Sequence, residues 1–303
     1  SELLENPNTE IIPVLGNVQD HRHIHQVIKA NQIQTVYHAA AYKHVPLVET
    51  NPLEAIKNNI FGTLNTARAS VENDMETFVL ISTDKAVRPG NVMGATKRVA
   101  EKIIQSLSGQ KTMLGGQSKT KFCFVRFGNV LDSSGSVIPL FRQQIAKGGP
   151  VTVTHKDITR YFMSIPEAVR LVLQAGALAE NGDGLVLNMG DPVRIYDLAE
   201  KIIRLSGLEP KTDQNSGGDI EIKMTGLRPG EKLHEELFVH RDLAYPTNHS
   251  KILREQQSSD LDHPSFDKQI KILEKAIFKA EPLDFDKFLF DLIEAPSQEK
   301  NAA

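Results

Sequence analysis

The sequence predicts an α/β fold, a doubly wound parallel sheet with helices on both faces, from three observations. Short β-rich runs alternate with longer helical stretches through the first half of the chain. Those runs are apolar almost throughout, as strands covered on both faces must be. The 303 residues, 40% apolar and 24% charged, have the length and balance of a globule with a sizeable buried core.

Taken in order, Ile11-Ile12-Pro13-Val14-Leu15, Thr35–His38, Thr77–Ile81 and Phe122–Phe127 read as buried strands. Helices are expected between them over His21–Asn31, Pro52–Glu72 and Val92–Leu107. Gly109–Thr120 is polar and contains glycine, so a surface excursion is expected there. Beyond it, an amphipathic helix from Pro166 to about Leu178 leads into a core strand at Leu185–Asn188. Tyr196–Ser206 and Lys232–Phe238 read as helices and Lys211–Gly218 as a polar loop. Helical periodicity returns from Phe266, and Ala295–Ala303 is expected to fray.

Composition excludes several functions. A formal net charge of -3 argues against a broad nucleic-acid surface. No apolar run approaches the ~20 residues that cross a bilayer. The single cysteine, Cys123, lies among Phe122, Phe124 and Val125, so it reads as a core residue, and the lack of any internal bridge fits a reducing cytoplasm. His21, His23 and His25 do not make a metal site, because helical residues two apart point about 200° apart. No metal is expected elsewhere.

In open α/β sheets ligands bind beyond the carboxyl ends of the strands. The run ending at Ile81 continues as Ser82-Thr83-Asp84-Lys85, which places a hydroxyl, a carboxylate and an amine at such an end. Further on lies Met93-Gly94-Ala95-Thr96-Lys97, where helical spacing puts Met93 and Lys97 on one face.

These phrases resemble the nucleotide-sugar 4,6-dehydratases of polysaccharide biosynthesis, within the extended short-chain dehydrogenase/reductase family. Others agree: His38-Ala39-Ala40-Ala41-Tyr42-Lys43-His44, Arg126-Phe127-Gly128-Asn129, Thr159-Arg160-Tyr161-Phe162 and Gly226-Leu227-Arg228-Pro229-Gly230-Glu231-Lys232. The likeness runs over roughly residues 11–252. Met93 stands where that family's relatives carry the tyrosine of Tyr-x-x-x-Lys, and a thioether cannot accept a proton.

The resemblance implies a Rossmann-like domain over 1–131 and 158–188, its first βαβ missing, and a smaller α+β substrate-binding domain over 132–157 and 189–303. It implies conversion of UDP-N-acetylglucosamine to a 4-keto-6-deoxy sugar with NAD, for capsule, O-antigen or other surface glycans. Lys85 would be the base at C5 and Asp84 the acid at C6, while Thr83 would bind the 4-hydroxyl and Lys97 the nicotinamide ribose. The proton on the 4-hydroxyl would go to Asp84 or to a water relayed through Thr83. Asn17, Val18, Ala39, Ala40 and Ala41 would contact NAD. Lys43 and His44 would lie near the sugar, Asn129 and Arg160 near the UDP half, and Arg228 with Glu231 would clamp diphosphate and ribose. Asn59 would tie helix to sheet.

No glycine-rich turn precedes Ile11, so the chain enters the dinucleotide-binding pattern partway, and strong NAD binding is not expected from it alone. The expected partners are a UDP-sugar and further copies of the chain, since the family assembles through helix packing and ranges from soluble to membrane-anchored. A 4-epimerase, or an inactive nucleotide-sugar-binding subunit, are the alternatives. The epimerase has no use for an acid–base pair at C5 and C6.

Overall fold

The computed structural model describes residues 9–108, 119–133, 135–212, 215–255 and 263–294. Its centre is a six-stranded sheet in the order β1 (Thr35–His38), β2 (Thr77–Ile81), β3 (Lys121–Arg126), Asp183–Leu187, Ile252–Glu255 and Ala244–Pro246. The first four strands run parallel and the last two pair antiparallel.

The apolar runs are continuous because each strand serves two cores. Phe78, Leu80, Phe122 and Phe124 face one layer with the helices Gly62–Glu72 and Val92–Leu107. Their neighbours Val79, Cys123 and Val125 face the other layer, beneath the helix Ile165–Leu178. Successive strand residues point to opposite faces, so both layers need apolar side chains. Cys123 is fully buried and unbridged, and burial pushes its thiol up to about 12.

A three-stranded parallel sheet, Pro210–Lys211, Ile220–Met224 and Val151–Val153, forms a smaller unit. It packs on the helices Val137–Ala146 and Ile195–Leu205 around Phe141, Val151 and Ile203.

Several expectations change. Ile11–Leu15 forms no strand, and Leu15 is 98% exposed. A strand exists only by pairing, and β1 pairs with β2 alone among the described residues. The stretch Pro52–Glu72 is interrupted, with a π-helical segment at Ile56–Phe61 between a short turn at Pro52–Ala55 and the helix Gly62–Glu72. Lys232–Phe238 is not helical. Its backbone lies alongside Thr159, whose N–H donates to the Leu233 carbonyl at 3.0 Å, so a tertiary pairing replaces the local helix. The expected loop Lys211–Gly218 begins within a strand, and 213–214 lie outside the described residues. So do 109–118 and 295–303, where an excursion and fraying were expected.

The strands Ala244–Pro246 and Ile252–Glu255 extend the main sheet. Phe266, Ile270, Leu273, Leu289 and Leu292 join the core beneath the helix Val92–Leu107, and Lys102 donates to the Leu292 carbonyl at 2.9 Å. These parts of 189–303 therefore pack with the main sheet, because their apolar faces fit its helical layer rather than the small sheet. Among the described residues no helix is long and apolar enough to cross a membrane.

Candidate active site

At the carboxyl end of β2 the chain turns sharply. Thr83 caps a single 3-10 turn, Asp84–Ala86, and its hydroxyl donates to Asp84 Oδ1 at 2.9 Å. The turn is pressed against the first residues of the helix Val92–Leu107. A Cβ on Gly94 would lie 2.3 Å from the Lys85 carbonyl oxygen, so only glycine permits this contact. Asn91 caps that helix, accepting from Gly94 N at 2.8 Å and donating to the Gly230 carbonyl at 3.1 Å. The caps thereby set the spacing between Lys85, Met93 and Lys97.

A cavity of about 500 Å³ opens over these groups. Thr83, Lys85, Met93 and Lys97 line it, together with Ala39, Ala41, Lys43, His44, Asn129 and Arg228. Asp84 is fully buried just beneath. Its Oδ1 also accepts from the Lys85 ammonium at 3.1 Å, and its Oδ2 has no hydrogen-bond partner within the protein. Gly128 leaves room there, since a Cβ on it would lie 3.3 Å from that oxygen.

Lys85 meets three groups. Its ammonium donates to Asp84 and to Asn129 Oδ1 at 3.2 Å, and stands 3.7 Å from Glu235 Oε1. Burial pulls the Lys85 pKa down, and Arg160 adds to this, but Asp84 and Glu235 together raise it above the ordinary lysine value. Lys97 is the opposite case: burial lowers it to about 8, against a smaller contrary pull from Glu101. It donates to the Ile81 carbonyl at 2.6 Å.

One residue back along the strands lies a second charged cluster, whose Glu101, Arg126 and Glu255 do not line this cavity. Arg126, without exposed surface, donates to Glu101 at 2.7 and 2.8 Å and to Glu255 at 2.6 Å. Ser82 donates to Glu101 at 2.6 Å. Burial would raise Glu101, yet Arg126, Arg98 and Ser82 hold it down at about 2.

Other residues expected at the site lie outside the cavity lining. Arg160 is buried behind the cavity wall, its guanidinium taken up by the Thr159 carbonyl at 2.7 Å and by Glu231 at 3.3 Å. Glu231 therefore pairs with Arg160 instead of facing the cavity, although it also accepts from Arg228 N at 3.1 Å. Asn17 spends its side chain on Gln19 N at 2.9 Å, and Val18 packs over Gly62. Neither lines the cavity, and nor does Ala40. Asn59 exchanges hydrogen bonds with the Tyr42 backbone and donates to Thr96 at 3.0 Å, tying the loop after β1 to two helices.

His21 and His25 share Glu72 at 3.0 and 3.1 Å, and among the described residues no cluster is arranged to hold a metal. The residues present fit one end of a dinucleotide. Ala39 and Ala41, small residues beyond β1, and Lys97 opposite suit its nicotinamide end.

Sequence reasoning missed Glu235, hidden in a segment read as a helix. It also missed the helix Val137–Ala146, whose first residue and the loop before it (Ser133, Gly135 and Ser136) close one side of the cavity. The run Val137-Ile138-Pro139-Leu140-Phe141 was the available signal.

A mostly parallel sheet with a Thr-Asp-Lys strand end and a Met-x-x-x-Lys helix around one cavity defines an enzyme-like protein of short-chain dehydrogenase/reductase fold. The chain belongs to the polysaccharide biosynthesis protein family, whose model matches residues 2–257. It is 56% identical over 245 residues to the capsular polysaccharide biosynthesis protein CapD of Staphylococcus aureus, covering 81% of this chain and 39% of CapD. The chain thus spans about two fifths of that relative. A Rickettsia akari protein named UDP-glucose 4-epimerase is 35% identical over 241 residues, 80% of this chain and 65% of that one.

Among solved structures, Pen from Bacillus thuringiensis superposes with a TM-score of 0.72 at 33% identity, over 85% of this chain and 76% of Pen. The Thermus thermophilus UDP-glucose 4-epimerase, solved in complex with NAD, gives a TM-score of 0.61 at 19% identity over 73% and 74% of the two chains, a likeness of fold.

Proposed function

We propose that this chain carries the catalytic site of an NAD-dependent nucleotide-sugar 4,6-dehydratase that acts on UDP-N-acetylglucosamine for surface polysaccharide. The observation that carries the reading is the convergence of Thr83, Lys85, Met93 and Lys97 on one cavity, with Asp84 hydrogen-bonded behind them.

Ala39, Ala41 and Lys97 would hold the nicotinamide end of NAD, which when bound accepts hydride from C4 and returns it to C6. The thioether of Met93 leaves the 4-hydroxyl without the usual phenolic base. Thr83 fills this role as a relay: its oxygen takes the sugar proton while its own proton passes to Asp84 Oδ1, 2.9 Å away. Asp84 becomes neutral, so one of the two anions that keep Lys85 charged is gone, and Lys85 sheds a proton to water. Neutral Lys85 then removes the C5 proton, acidified by the new ketone. Asp84 returns its proton to the departing C6 hydroxyl, which leaves as water. Lys85 finally reprotonates C5 and recovers its own proton from water.

Arg228, on the cavity rim, suits a phosphate oxygen. A second reading, UDP-glucose 4-epimerisation, is favoured by the name of the Rickettsia relative. Full-length protein incubated with UDP-N-acetylglucosamine and NAD separates them by mass spectrometry of the sugar. Loss of one water is expected, whereas an unchanged mass with inversion at C4 would establish the epimerase. No change at all would leave a binding subunit.

A further inference from the structure

Glu235 sits behind the cavity and does not line it, yet it is the second carboxylate on the Lys85 ammonium. Its side chain is only 5% exposed and stands 3.7 Å from Lys85 and 3.9 Å from Arg160 Nε. Arg160 continues to Glu231 at 3.3 Å, so charges alternate along one buried row: Asp84, Lys85, Glu235, Arg160, Glu231. The row exists because the backbone at Leu233 and His234 is bridged to Thr159. Through that bridge Glu231 and Glu235 both reach Arg160, at 3.3 and 3.9 Å.

We propose that Glu235 is a positioning residue that holds the Lys85 side chain toward Asp84 and Asn129 and decides whether Lys85 enters the reaction charged. The inference rests on the dehydratase reading for its consequence in catalysis, though not for the ion pair itself.

The groups facing Lys85 are Thr83 and Asp84 on its own turn, Asn129 beyond β3, and Glu235 with Arg160 behind. Those facing Glu235 are Lys85, Asp84, Arg160 and Lys232. Burial raises the Glu235 pKa and Asp84 adds to this, opposed by Lys85, Arg160 and Lys232. An anion beside an ammonium favours its charged form. Removing that anion must therefore lower the pH at which Lys85 loses its proton, while Asp84 remains.

The test uses full-length protein as wild type, Glu235→Gln and Glu235→Asp. Lysines are reductively ¹³C-methylated, the Lys85 signal is assigned by its loss in Lys85→Arg, and its titration is followed by NMR. Dehydration rate against pH is measured on unmethylated samples, and thermal melts show which variants fold. The expected result is a Lys85 titration midpoint about one unit lower in Glu235→Gln, with the alkaline-rising limb of the rate profile moved down by the same amount. Glu235→Asp should restore most of both shifts. An unmoved Lys85 midpoint in folded Glu235→Gln overturns the proposal. A lowered midpoint in a protein that never dehydrates the sugar supports the ion-pair assignment and defeats the dehydratase reading instead.

Discussion

Two charged clusters lie within a few residues of each other at the carboxyl ends of β2 and β3, and they are built on opposite plans. In the Glu101–Arg126–Glu255 cluster the guanidinium meets carboxylates at 2.6 to 2.8 Å, and none of the three residues lines the site cavity. In the Asp84–Lys85–Glu235 row the contacts are 3.1 and 3.7 Å, Lys85 faces the cavity, and Asp84 Oδ2 has no partner in the protein. The first arrangement fixes its protons and ties three elements of the fold together. The second leaves one cation between two carboxylates, a setting in which protons can be redistributed. A buried ion pair with every hydrogen bond made serves structure, and one left open is available for chemistry.

The sharpest way to break this comparison is to replace one member of each cluster. Lys85→Arg, which keeps a cation between Asp84 and Glu235 but cannot serve as a base, should lower dehydration by about 10²–10⁴-fold and leave the melting temperature nearly unchanged. Glu101→Gln should do the reverse and cost about 3–5 kcal/mol in denaturant unfolding, because it leaves Arg126 buried with half its charge partner gone. Equal effects of the two variants on stability would sink the distinction.

The pH dependence sharpens it. Glu101 is held at about 2, below its ordinary value of 4.5, so its contribution is complete above the ordinary value and is lost as pH falls toward 2. His38 adds to the same acid loss from another part of the fold. Burial, with Lys97 nearby, lowers it from 6.5 to about 3, so the unfolded chain takes up its proton first and stability declines across that window. Melts from pH 7 to pH 3 should slope downward, and His38→Asn should flatten the part above pH 4.

Smaller effects follow within the site. Thr83→Val, which removes the relay hydroxyl but keeps the shape, should cost about 10²-fold in turnover at an unaltered melting temperature. Met93→Leu should change turnover by no more than about threefold and stability by less than about 1.5 kcal/mol, since the thioether carries no proton. A large loss there would assign Met93 a chemical part.

Much of the sheet was readable because its strands carry apolar side chains on both faces, a pattern that survives any choice of neighbours. The site was readable in part. Thr83, Asp84, Lys85, Met93 and Lys97 come from two short local motifs whose geometry is set by one turn and one helix cap. The contacts among Arg160, Glu231 and Glu235 were not legible, because they depend on a pairing across about 75 residues of chain, from Thr159 to His234.

Local spacing and polarity by themselves determined the parallel core, the buried Cys123 and the chemistry offered at the end of β2. Only the tertiary structure decided that Ile11–Leu15 stays unpaired, that the last helices pack on the main sheet, and that Arg160 serves two carboxylates behind the wall. The reason is physical: a side chain's periodicity reports which face it needs covered, whereas a charge takes whichever partner the folded backbone brings within reach.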